Sequence, residues 1–160
     1  MPRPEDVIAS LIRHGASIAT AESVTGGAVC AALVSVPGAS TVVRGGIVAY
    51  SAAAKASLLG VDPALIRASG LVSTEVALAM ARGCREATGA SVVVSTTGAA
   101  GPDPHDGAPA GRVCLAVVGP SYQRCTQIDL AGDRDAVRAG AVDAALALVA
   151  EVLADDVTLM

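Results

Sequence analysis

Apolar positions along the chain alternate between a helical and a strand-like spacing. In PEDVIASLIRH (4–14) they recur every three or four residues, with Pro4 at the start, acids in the first turn and His14-Gly15 at the end. That pattern predicts an amphipathic helix with a glycine stop, and it places His14 against the negative end of the helix dipole. ASIATA (16–21) predicts a first strand, and ESVTGG (22–27) a turn into a helix over 28–36 that Pro37-Gly38 ends. STVVRGGIVAY (40–50) predicts a second strand with a glycine pair inside it. Short helices follow over 51–60 and 62–69, then a longer one over 73–89 with Ser73 or Thr74 as cap and Gly89 as terminator. ASVVVSTTG (90–98) is a third strand, its valine run too apolar to be half exposed. A Gly/Pro-rich loop (99–111) leads to two strands, RVCLAVVG and QRCTQIDL, around a tight GPSY turn. The last helix is expected over 133–154, with Val137, Ala141, Ala145, Leu148 and Val152 as its buried stripe.

The connections predict the topology. Strands one to three are joined through helices, so they run parallel with right-handed crossovers. Strand four is reached by a loop without a helix and is antiparallel to the rest. Strand five, one tight turn later, is parallel to the first three. The expected fold class is α/β: one domain over residues 1–160, a mixed five-stranded sheet between two helical layers.

Composition narrows the function classes. The net charge is −4 and the pI about 5.0, against the basic patch that nucleic acid or an anionic membrane requires. Hydrophobic residues make up 52%, largely Ala and Val, which suits close helix–sheet approach. Residues 23–43 carry no charge, about the ~20 residues of a membrane span, but Gly26-Gly27, Pro37-Gly38 and the hydroxyl residues break the run. MPRPEDV has no apolar stretch of the kind that opens a signal peptide. Cys30, Cys84, Cys114 and Cys125 form no C-x-x-C pair and each sits in an apolar run, so they read as core thiols of a cytoplasmic protein. The two histidines lie far apart, and no metal-ligand spacing appears.

In such a sheet ligands bind beyond the carboxyl ends of the parallel strands. That edge collects Ser23 and its glycine turn, Tyr50 with Lys55 beyond it, Thr97-Gly98 and the following loop, and Arg134. Lys55 is the only lysine, and Tyr50 is one of two tyrosines in a chain without Phe or Trp. Ser23 reads either as a helix cap or as a nucleophile served by free N–H groups of the helix start. A lysine held neutral by burial and the helix dipole could be its base, with Tyr50 orienting either partner. Arg134 and Arg138 read as phosphate ligands or as partners of Asp133 and Asp135. His105 reads as a solvated loop residue.

Five stretches in order, TAESVTGG (20–27), GGIVAYSAAAKASLLGV (45–61), GLVSTEVA (70–77), TTGAAGP (96–102) and GDRDAVR (132–138), resemble the carboxy-terminal domain of the competence/damage-inducible protein CinA, the nicotinamide-nucleotide amidohydrolases. The resemblance covers nearly the whole chain. It implies hydrolysis of the carboxamide of nicotinamide mononucleotide to nicotinate mononucleotide and ammonia, without metal or cofactor, in pyridine-nucleotide salvage. It implies Ser23, Tyr50 and Lys55 as the catalytic set, with Glu22, Thr25, Gly26, Gly27, Thr97, Gly98 and Arg134 around the substrate. It further implies a three-layer fold, a stand-alone chain and a homodimer or higher homo-oligomer. Two positions depart from the family pattern: Val24 stands where the family often has Cys, and the 102–112 loop lacks a Lys-Pro-Val-Gly run. The altered loop motivates the alternative of a catalytically silent pyridine-nucleotide-binding module.

Overall fold

The computed structural model describes residues 1–158. Helix α1 (Pro4–His14) opens with Pro4 in its first turn and closes on Gly15 in the left-handed region, burying Val7, Ile8 and Leu11. His14 Nδ1 lies 2.7 Å from the Ser10 carbonyl at that end. Strand β1 (Ile18–Glu22), helix α2 (Ala28–Val34), strand β2 (Val43–Val48), helices α3 (Ala52–Leu59), α4 (Pro63–Ser69) and α5 (Thr74–Thr88), and strands β3 (Val92–Gly98), β4 (Arg112–Val118) and β5 (Gln123–Asp129) follow, ending in α6 (Arg134–Thr158). The second strand is shorter than its apolar run, because Ala39–Thr41 coil into a 3₁₀ turn. The last helix runs past its expected end, and Asp133 caps it by accepting from the Ala136 N–H at 2.9 Å.

The sheet order is β2-β1-β3-β4-β5. β1 pairs in parallel with β2 and with β3, whereas β4 is antiparallel to both β3 and β5. β5 therefore runs with the first three strands, as the connections require. Side chains alternate between two cores. Ile18, Val92, Val94, Val113, Leu115 and Val117 pack under α1, α2 and α6. Ala19, Ala21, Val93, Cys114 and Ala116 pack under α3 and α5. Small residues set the spacing of the second layer: a Cβ on Gly83 of α5 would stand 1.7 Å from the Leu59 carbonyl oxygen, so only glycine lets α3 lie this close.

The cysteines divide by position. Cys84 and Cys114 are buried and Cys30 is half-buried, but Cys125 is exposed, because edge strand β5 has one face in solvent. Cys114 sits opposite Gln127 and Cys125 opposite Ala116, so the two thiols are not cross-strand partners. No helix among the described residues is long and apolar enough to cross a membrane.

Candidate active site

The carboxyl ends of β1, β2 and β3 meet as the topology predicts. Ser23 directly follows β1, and its N–H donates to the Thr96 carbonyl of β3 at 2.9 Å. This seats the serine at the sheet edge, 7% exposed. The chain then turns through Gly26 (φ 59°) and Gly27 (φ 99°), a left-handed pair that other residues adopt at a cost. From β2 the chain passes through Ala49 and Tyr50 to Ser51, whose Oγ caps α3 by accepting from the Ala54 N–H at 3.1 Å. Lys55 is the fourth residue of α3, so its side chain reaches back over the first turn toward the sheet edge.

There its Nζ lies 2.9 Å from Ser23 Oγ and 3.1 Å from the Ala49 carbonyl oxygen. Lys55 is 2% exposed, and none of the described salt bridges includes its amine. Burial in these surroundings pushes its pKa down from 10.5 to about 8, because a charge without water or a counterion is costly. Roughly a tenth of the amine is then neutral at pH 7, far more than an ordinary lysine supplies, and a neutral amine in contact with a hydroxyl can accept its proton.

Ser23 opens onto a cleft of about 310 Å³, lined also by Val24, Tyr50, Arg134 and residues 98–105, with Lys55 behind it. The size is at the lower end of small-ligand sites, roughly 300–1,000 Å³. Arg134 spans the cleft mouth. One guanidinium nitrogen donates to the Gly101 carbonyl at 2.8 Å and another to the Tyr50 hydroxyl at 2.8 Å. Tyr50 thus faces the cleft, 61% exposed, but its hydroxyl engages Arg134, not Ser23 or Lys55. Arg134 likewise pairs with neither Asp133 nor Asp135 among the described salt bridges. No cluster of metal-ligating side chains occurs among the described residues.

Several expected ligand contacts are placed elsewhere. Glu22 is fully buried; its carboxylate accepts from the N–H groups of Val29 at 2.8 Å and Cys30 at 3.0 Å. The start of α2 is therefore already occupied and offers no anion site there. Thr25 is buried, its hydroxyl donating to Glu22 at 2.7 Å. The Gly26 N–H closes the turn onto the Ser23 carbonyl at 3.0 Å, and neither Gly26 nor Gly27 lines the cleft. Thr97 points to the opposite face of the sheet, donating to the Leu71 carbonyl at 2.8 Å. Arg138 is used internally, on the carbonyls of Val24 and Thr25 at 3.1 Å each. Gly98 and Arg134 do line the cleft. So do Asp103 and His105, which the sequence presents only as loop residues; the loop curls back through a His105–Ala108 bridge, a non-local fold without a local signature.

Comparison with known proteins agrees with the fold. The family model described as the CinA C-terminal domain matches residues 2–153. A CinA-like protein of Frankia casuarinae is 45% identical over 148 residues, covering 92% of this chain and 34% of that protein. One from Mycolicibacterium paratuberculosis is 45% identical over 159 residues, covering 96% and 36%. The chain thus spans about a third of the length of these curated relatives. Among solved structures, a CinA superfamily protein from Klebsiella pneumoniae superposes with a TM-score of 0.92 at 33% identity, covering 95% of this chain and 96% of that one. The competence/damage inducible protein CihA from Agrobacterium tumefaciens superposes with a TM-score of 0.89 at 32% identity, covering 94% and 92%.

Proposed function

The chain belongs to the CinA C-terminal domain family, and within that family we propose that it is a metal-independent amidohydrolase converting nicotinamide mononucleotide to nicotinate mononucleotide and ammonia. The observation that carries the proposal is the buried contact between Lys55 Nζ and Ser23 Oγ, 2.9 Å long, with the amine depressed to a pKa of about 8. Neutral Lys55 takes the hydroxyl proton as Ser23 Oγ attacks the carboxamide carbon. Of the residues lining the cleft, Val24, Ala100 and Gly101 supply the backbone N–H groups for the resulting oxyanion, since the Ala99 N–H is already donated to the Arg112 carbonyl at 2.9 Å. As the C–N bond breaks, the Lys55 ammonium returns its proton to the amide nitrogen, which leaves as ammonia. Water then attacks the Ser23 ester and gives a proton to Lys55, which passes it to the departing serine oxygen. The products are the original Ser–Lys pair and the carboxylic acid, which gives its remaining proton to the solvent or the released ammonia and leaves as the carboxylate. Arg134, with Tyr50 as its partner, supplies the positive charge that an anionic phosphate requires.

The test is ammonia release from nicotinamide mononucleotide by the purified chain, with Ser23→Ala as the control. Equal rates for the two proteins exclude the mechanism. Saturable binding without ammonia favours the silent binding module. A homodimer belongs to the same proposal, and a single species of 15.6 kDa by light scattering removes it.

A further inference from the structure

The residue before the nucleophile carries a carboxylate that the proposed chemistry leaves unused. Glu22 is fully buried, and four donors converge on its two oxygens. Oε1 accepts from the Thr25 hydroxyl at 2.7 Å and the Val29 N–H at 2.8 Å. Oε2 accepts from the Thr20 hydroxyl at 3.0 Å and the Cys30 N–H at 3.0 Å. These contacts have a direction. A threonine hydroxyl has one proton, and that of Thr25 goes to Glu22. The 2.7 Å contact between Thr25 and Thr96 must then be donated by Thr96. The Thr96 hydroxyl oxygen is left as an acceptor for the Ser23 N–H at 3.4 Å, a longer second branch beside that N–H's 2.9 Å bond to the Thr96 carbonyl. A single ordered chain therefore runs from the Ser23 amide through Thr96 and Thr25 into the Glu22 carboxylate. On the other side of the turn Arg138 holds the Val24 and Thr25 carbonyls, so the segment behind Ser23 is fixed from both sides.

We infer that Glu22 is a positioning residue for the nucleophile: through Thr25 and Thr96 its carboxylate locks the Ser23 turn so that Oγ meets Lys55. The assignment rests on the amidohydrolase reading for its kinetic consequence and on geometry alone for its structural one. It also follows that the carboxylate is not interchangeable with an amide. A glutamine has one acceptor oxygen, and its NH₂ would face the N–H of either Val29 or Cys30. A peptide N–H cannot reverse, so one donor is left opposite another donor.

Two readouts test this together: ammonia release, and the rate at which a small fluorophosphonate labels Ser23. In Glu22→Gln, labelling and kcat should both fall about 10²-fold, the scale of a displacement of roughly 1 Å in a reacting group. KM should stay within twofold, since Glu22 does not reach the cleft, and the pH midpoint of labelling should stay with Lys55. Thr96→Val, which cuts the chain while leaving both backbone N–H contacts of Glu22 in place, should shift the same quantities in the same direction. Labelling of folded Glu22→Gln at the wild-type rate overturns the inference. If Glu22→Gln does not fold, Thr96→Val decides alone, and wild-type labelling of it overturns the inference equally. A wild-type protein that is labelled at Ser23 but releases no ammonia removes the proposed substrate and leaves the positioning role to the labelling rates. A wild-type protein that resists labelling removes the positioning role, because no activated serine is there to position.

Discussion

At Lys55 a single side chain combines low exposure, contact with a hydroxyl and a depressed pKa, and each has a measurable consequence. Only the neutral amine can take the serine proton, so kcat/KM for ammonia release should rise tenfold per pH unit below about 8 and level off above it. Rates already at their plateau at pH 6 would place the base elsewhere. Lys55→Ala should lose on the order of 10²–10⁴-fold, the usual contribution of a general base. Ser23→Ala should lose on the order of 10⁴-fold or more. These two residues were legible in the sequence because each breaks a local expectation: a serine at a strand-to-helix turn and a lone lysine one short step beyond a strand. The role of Glu22 was not legible. Its place beside Ser23 suggests the cleft, but strand alternation sends its side chain into the interior, under the start of α2.

Among the elements, helices and strands follow their periodicities closely, while the facing of β3 could not be read. Val92–Thr97 is buried on both sides, so no polar alternation marks which side chains meet which layer. Thr96 faces the Ser23 turn and Thr97 faces Leu71, although the two look equivalent as letters. The loop after β3 is likewise set by distant contacts. Asp106 accepts from the Leu71 N–H at 2.6 Å, and Thr97 donates to the Leu71 carbonyl, so one residue between α4 and α5 tethers both ends of the segment that carries His105. Asp106→Ala should free that wall of the cleft and raise KM about tenfold, the equivalent of the ~1.4 kcal/mol expected for a charged hydrogen bond to backbone. kcat should fall as well, because the same wall carries oxyanion donors, and unchanged KM and kcat would mean that the loop holds its shape without the tether. The α3–α5 approach gives an independent check on element packing. Gly83→Ala forces a Cβ against the Leu59 carbonyl and should cost about 3 kcal/mol or more, seen as a lowered urea midpoint.

For the molecule as a whole, keeping Lys55 buried opposes folding. Its pKa falls from 10.5 in an unfolded chain to about 8 in the fold, so at pH 7 the native state must hold a charge that the solvated chain holds more easily. The penalty is about 3 kcal/mol, at ~1.4 kcal/mol per pKa unit. The sign follows from proton counts: between pH 8 and 10.5 the unfolded chain binds more protons than the native one, so this contribution to stability rises with pH and is lost as pH falls through 8. The buried thiols act oppositely. Burial raises Cys84 and Cys114 to about 11, so their contribution declines as pH climbs through the range from 9 to 11. A pH scan of the wild type alone therefore mixes the two trends. Comparison with Lys55→Met isolates the lysine, because both proteins share the thiols. The variant should be inactive yet more stable than wild type at pH 7, the exchange expected where an active site holds a group against its preference. Its stability advantage should shrink by ~2 kcal/mol between pH 7 and 9.5 in urea unfolding. A difference that stays constant over that range would show that Lys55 titrates alike in the folded and unfolded chains, and the depressed amine on which the Ser23–Lys55 chemistry depends would be gone.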